Sequence, residues 1–210
     1  MKIGRFQLGH LWTNCYILSG GSGDAVMIDP GGPTDEAKAY IDKNSLKLKK
    51  ILMTHGHADH IMGLGEVRGM SEDGVAIHSD DAACIVSASE NLSSVMGNPA
   101  EFKEADLLLS DGMDIVIGGV KIQVIHTPGH TRGSCCFYAT EGRDALLISG
   151  DTLFARSVGR TDLPGGDEAT LLGSLKKLET LADSVPVYPG HGPSTTIGDE
   201  RRLNPFWPRS

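Results

Sequence analysis

The chain has 210 residues, 40% of them apolar, 22% charged and only 5% aromatic, with a formal net charge of −8. Length and composition fit one soluble globular domain with a sizeable core, and the acidic balance argues against a nucleic-acid partner, since the longest basic cluster is only Lys47, Lys49 and Lys50. No run approaches the roughly 18 consecutive apolar residues of a membrane span, and the N-terminus lacks the apolar stretch of a signal peptide, so a cytoplasmic protein with no membrane partner is expected.

Residues 2–8, 14–19 and 25–29 read as strands separated by glycine-rich turns. "DPGGPTDEAKAYIDKN" then gives a loop and a helix, with Thr34 as its N-cap. "KKILMT" (49–54) is a buried strand running into the loop "HGHADH". A helix is expected from near Asp59, carrying Ile61, Met62, Leu64 and Val67 inward. "VAIHS" (75–79) is a further strand, followed by a helix to about Ser89, and residues 90–110 show no clear period. Residues 113–127 form a hairpin turning at Gly118-Gly119. Strands at 134–139 and 145–150, a helix over 167–182 and a last strand at 185–190 complete the series. Strands thus come in two batches, each followed by helices. The expected fold is α/β: a four-layer α/β/β/α sandwich of two mixed sheets with outer helices, one domain over residues 1–210. Cys15, Cys84, Cys135 and Cys136 form no CxxC pair, and the adjacent two point apart in a strand, so all are expected to be reduced.

The loop after 49–54 gathers His55, His57, Asp59 and His60, donors suited to zinc and other borderline cations. Such close spacing does not let all four converge on one ion, and two ions need further donors. His130 in "TPGHT", Asp151 in "ISGDT" and His191 in "YPGHG" each follow a strand and sit beside glycine, as the first cluster does. Alone, each of these three is more often a structural residue; together with the 55–60 cluster they point to a metal centre. Asp29 either orients a ligand histidine or caps a turn. His10, His78 and His126 lack such company and are expected to be structural.

These motifs resemble the metallo-β-lactamase fold superfamily. "THGHADH" matches its HxHxDH signature, and "TPGHT", "SGDTLF" and "PGHGP" match its later motifs in order, over about Asn14 to Phe206. Within it, "GRTDLPGGD" (159–167) and "GHGPSTTIGDERRLNPF" (190–206) are most similar to short glyoxalase II-like hydrolases. The resemblance implies two divalent metal ions, zinc foremost, with iron or manganese as the other options. It places His55, His57 and His130 on one ion, Asp59, His60 and His191 on the second, and Asp151 as a bridge. It further implies hydrolysis of a small acyl-thiol, S-D-lactoylglutathione or a related thioester, by a hydroxide shared between the metals and oriented by Asp59.

Arg160 stands where larger glyoxalase II enzymes carry a basic residue facing glutathione, so the resemblance implies a contact with a substrate carboxylate; pairing with Asp162 or Asp167 is the other reading. Three departures stand out. Asp162 replaces a tyrosine, Arg132 replaces a proline, and in place of the C-terminal helical region that helps hold glutathione there is only a short helix near 197–203. The alternative enzyme is a mononuclear iron persulfide dioxygenase using His55, His130 and Asp151, against which stands Gly192 where such enzymes have aspartate. Another metallo-hydrolase such as a lactonase, or a non-catalytic metal-binding protein, is also compatible with the ligands.

Overall fold

The computed structural model describes residues 1–209. Side-chain alternation sorts the strands into layers. In β2 (Thr13–Ser19) every residue is buried, because both faces of the strand are covered: Tyr16 and Leu18 enter one core, Cys15 and Ile17 another. β9 (Cys135–Glu141) does the same, with Cys135 and Phe137 on one side and Cys136 on the other. The four cysteines are free, as expected.

The first sheet is built from β1 (Lys2–Leu8), β2, β3 (Asp24–Ile28), β4 (Lys47–Leu52), β5 (Val75–His78) and β6 (Leu107–Leu109), in that order. Its first three strands are antiparallel and the rest parallel. The second sheet contains β7 (Asp114–Ile117), β8 (Val120–His126), β9, β10 (Asp144–Gly150), β13 (Pro186–Pro189) and β14 (Thr195–Thr196); β11 (Leu153–Phe154) and β12 (Ser157–Val158) form a separate ribbon. Tyr16, Val26 and Leu52 from the first sheet meet Ile122, Phe137 and Ile148 from the second in the central core. The outer face of the first sheet is covered by α1 (Asp35–Lys43), α2 (Ala58–Ile61), α3 (Leu64–Val67) and α4 (Ala82–Val86). That of the second is covered by α5 (Glu168–Leu178) and α6 (Ile197–Leu203). The expected α/β/β/α sandwich is therefore present.

Local differences from the sequence reading have identifiable causes. The strand expected to reach residue 54 ends at Leu52, because the Thr54 N–H turns to the Asp29 carboxylate at 2.7 Å instead of a ladder partner. The helix expected from Asp59 is broken into α2 and α3. Gly63 donates its N–H to the Pro30 carbonyl at 2.7 Å, and a side chain there would collide with the Gly32 backbone. Thr34 does precede α1, but its hydroxyl donates to Glu66 at 2.6 Å and makes no cap. The helix after β5 stops at Val86 rather than near Ser89. Beyond it, buried Asn91 organises the irregular segment, donating to the carbonyls of Cys84 and Ala100.

Topology places the site. β9 is antiparallel to both β8 and β10, and β10 is parallel to β13. So β8, β10 and β13 run the same way, and the loops leaving their C-terminal ends, which carry His130, Asp151 and His191, open on one edge.

Candidate metal centre

The seven side chains singled out by their strand-end placement come together. Three overlapping groups have donor atoms within 4.8 Å of one another: His55 with His57 and His130; His55 with His60 and Asp151; and Asp59 with His60 and His191. In the first, His57 Nδ1 and His130 Nε2 face the same point 2.9 Å apart. In the third, His191 Nε2 lies 3.1 Å and His60 Nε2 3.7 Å from Asp59 Oδ2. Asp151 stands between the two: its Oδ2 lies 3.6 Å from His130 Nε2 and 3.5 Å from His191 Nε2, and its Oδ1 lies 3.4 Å from His60 Nε2. Donors on a tetrahedral zinc with bonds of about 2.0–2.1 Å stand roughly 3.3–3.4 Å apart, so these separations suit a metal centre.

The polar accounting also fits a metal. Among the described residues, the buried side-chain atoms with no hydrogen-bond partner are Asn14 Oδ1, His55 Nε2, His60 Nε2 and Asp151 Oδ1. Buried polar atoms are nearly always satisfied, and three of these four belong to the candidate ligands.

An outer layer fixes the rings. His60 Nδ1 donates to Asp29 Oδ2 at 3.0 Å, His130 Nδ1 to the Arg160 carbonyl at 2.7 Å, and His191 Nδ1 to the Leu11 carbonyl at 3.1 Å. Thr54 donates its hydroxyl to Asp29 and accepts from His55 Nδ1 at 3.2 Å. In all four histidines Nε2 is thereby turned inward. Of its two readings, Asp29 takes the orienting one, held at a φ of 53° by its contacts with Thr54 and His60. Glycine supplies room where the sequence suggested it: a side chain at Gly190 would overlap the Asp151 carboxylate.

Electrostatically the cluster is uneven. Burial pushes His55 well below the usual histidine range, and burial with His130 takes His57 down to about 4, so both are neutral, ligand-ready imidazoles. Burial opposes a charge on His60 too, but Asp59, Asp151 and Asp29 around it outweigh burial and raise it. Burial likewise opposes ionisation of Asp59, yet His60 and His191 hold its carboxyl below the usual range.

Asp81 was not found from the sequence. Its buried carboxylate accepts from Gly56 N–H at 2.9 Å, Gly133 N–H at 2.7 Å and Thr131 Oγ1 at 2.7 Å. It therefore ties the loop of His55 and His57 to the loop of His130. An aspartate after a strand carries no local signal for a role that depends on two loops distant in sequence. Arg160 enters the site through its main chain. Its guanidinium makes two 2.7 Å bonds to Asp162, both side chains being more than 60% exposed, while Asp167 instead caps α5 through Thr170. His78 and His126 stack 3.8 Å apart beside Asp80. His78 Nδ1 accepts from Asp80 N–H, and His126 Nε2 donates to the Arg132 carbonyl, in keeping with a structural pair.

Comparison with known proteins follows the same lines. A family model described as the metallo-beta-lactamase superfamily matches residues 9–191. The probable metallo-hydrolase YqgX of Bacillus subtilis is 39% identical, covering 98% of this chain and 97% of its own. The hydroxyacylglutathione hydrolase GloC of Haemophilus influenzae is 34% identical over 92% of each chain. Among solved structures, that of the B3 metallo-beta-lactamase BLEG-1 superposes with a TM-score of 0.92 at 38% identity, covering 98% of this chain and 99% of that one.

Proposed function

The chain belongs to the metallo-beta-lactamase superfamily, and from that premise we propose that it is a dinuclear metal-dependent hydrolase of thioesters. The observation that carries this reading is the convergence of seven donors, Asp151 at their centre and three of them with orphaned buried atoms. Zinc held by such donors lowers the pKa of a bound water to about 7 and polarises a carbonyl.

The chain's own groups limit the chemistry. All five histidines of the cluster are engaged as donors, so none remains to protonate a leaving group. A thiol, with a pKa near 8.5, departs as thiolate without that help, which favours a thioester over an unactivated amide. Asp59 is the carboxylate at the mouth: its side chain is 16% exposed, and its Oδ2 accepts from Thr13 Oγ1 at 3.1 Å. Its second oxygen, Oδ1, is the acceptor that orients the attacking water. Water adds to the carbonyl carbon, the carbon–sulfur bond breaks with its electron pair leaving on sulfur, and the released proton passes through Asp59 to solvent.

The relative GloC is named for hydrolysis of a glutathione thioester and the neighbour BLEG-1 as a β-lactamase; both reactions transfer an acyl group to water, which supports the reaction class. The test is turnover of S-D-lactoylglutathione and simpler thioesters by protein loaded with zinc, with metal counted in the same sample. Two ions per chain and hydrolysis abolished by chelation are expected. Failure to hydrolyse any thioester at full metal loading would overturn the reading, and oxygen uptake with a persulfide by iron-loaded protein in its place would move the protein to the iron dioxygenases.

A further inference from the structure

Beside Asp59 lies a groove of about 700 Å³ whose chemistry differs from that of the metal cluster. Its lining includes the tip of the β1–β2 hairpin and the irregular segment after α4. Leu8, Leu11, Met62 and Met96 line it together with Asp59, the one member of the cluster among its lining residues. The hairpin tip is fixed to the cluster at two points: Leu11 through its carbonyl to His191, and Thr13 through its hydroxyl to Asp59. The hairpin tip is thus shared by the groove and by the outer layer that holds the cluster.

Its lining decides what it accepts. The ionisable groups along it are Asp35, Glu36, Asp59 and His10, and none of the lining residues is lysine or arginine. Lys38, on the next turn of α1, is held by Asp35 at 3.0 Å and Glu66 at 3.1 Å. Arg160, whose carbonyl holds His130, is not among the lining residues and is paired with Asp162. A carboxylate entering the groove would find no lysine or arginine among the lining residues to pair with, and glutathione carries two carboxylates. Leu11 and Met96 are 52% and 51% exposed, a degree of apolar exposure that an apolar occupant would relieve. A volume of this size is ordinary for a small-molecule site.

Resting on the thioesterase reading, we propose that the groove receives an uncharged, largely apolar arm of the substrate. An aliphatic or aromatic acyl chain and an apolar thiol carrier share that chemistry, and the two arms of the experiment separate them. In the first, zinc-loaded protein hydrolyses S-acyl-N-acetylcysteamine thioesters with acyl chains of two to eight carbons. In the second, acetyl thioesters of ethanethiol and of octanethiol are compared, with that of glutathione beside them. Complete burial of a methylene raises affinity about fourfold, so six methylenes in a partly open groove should raise kcat/KM at least tenfold in one arm. Met96→Glu, a change at a half-exposed position, should cut that ratio by tenfold or more. A rise below tenfold in both arms, with thioesters otherwise hydrolysed, overturns the proposal.

A binding measurement keeps the two hypotheses apart. An octyl thioether of N-acetylcysteamine cannot be hydrolysed, and its dissociation constant for the wild-type protein should be at least tenfold lower than for Met96→Glu. If no thioester is hydrolysed but this selectivity holds, the hydrolase reading fails and the groove assignment stands. If the constants are equal, the groove assignment fails whatever the turnover.

Discussion

The floor of the candidate site and the walls above it are built on opposite plans. On the floor, donors sit at strand ends, most of them buried, with His55, His60, His130 and His191 each held by a hydrogen bond to its other ring nitrogen. The walls are loops presenting exposed apolar side chains, Leu11 and Met96 among them, with few polar contacts to fix those side chains. The contrast teaches that reaction class and substrate choice are separable here. Changes to the floor should act on turnover and metal content, changes to the walls on which substrate is preferred.

The sharpest way to break this division is at its centre. Asp151→Ala removes a carboxylate that lies 3.4–3.6 Å from His60, His130 and His191 and so faces both groups of donors. Turnover should fall by about 10³-fold or more, with both metals weakened, because electrostatic groups of this kind supply several kcal/mol. Near-normal turnover with two ions counted would remove the floor's claim to the chemistry. His60→Ala should lower thioester turnover by about 10²-fold with loss of one ion; a variant keeping one ion and near-normal activity, with its fold checked by circular dichroism, would sink the two-metal mechanism.

Asp81→Asn probes the layer under the floor. The amide keeps the shape but gives up one acceptor among three donors, so metal affinity should drop about 10- to 100-fold, read by competition with a chromophoric chelator. If melting temperature falls while metal affinity is unchanged, Asp81 is a fastener of the fold and not a positioning residue of the site.

The smallest effect is expected at the walls. Glu66 accepts from the Thr34 hydroxyl and amide and from Lys38, which pins the segment leading into Asp35 and Glu36. The Thr34 hydrogen bonds, with Lys38, pull the Glu66 carboxyl down to about 2. A folded-state pKa below the unfolded value means the stabilisation is present above about 4.3 and is lost as pH falls toward about 2. Glu66→Gln should therefore flatten the acid limb of a stability–pH curve in that window, modestly because the group is largely exposed. An unchanged curve would leave the wall segment held by other contacts.

Much of the floor was legible in the sequence because each donor follows a strand and sits near glycine, a local pattern repeated four times. The strands were legible as short apolar runs between turns, and the adjacent Cys135 and Cys136 do enter opposite cores. Three things were not. Asp81 acts across two loops distant in sequence, so nothing next to it marks its role. The break between α2 and α3 comes from the Pro30 carbonyl drawing away the Gly63 N–H, a tertiary contact that overrides helical periodicity. The groove is assembled from the hairpin tip, the start of α1 and the segment around Met96, and only the fold brings these together.

His191 lies 180 residues from the carbonyl that steadies it, and the donors run from position 55 to position 191. Metal held at this junction would act as a clasp between distant parts of the chain, absent from the unfolded state. Folding and loading then become one equilibrium. At a free metal concentration 100 times the dissociation constant, stability gains about 2.7 kcal/mol per site. The melting temperature of this protein should accordingly vary with the free metal of the buffer and drop on chelation, which differential scanning calorimetry across a metal-buffer series would record.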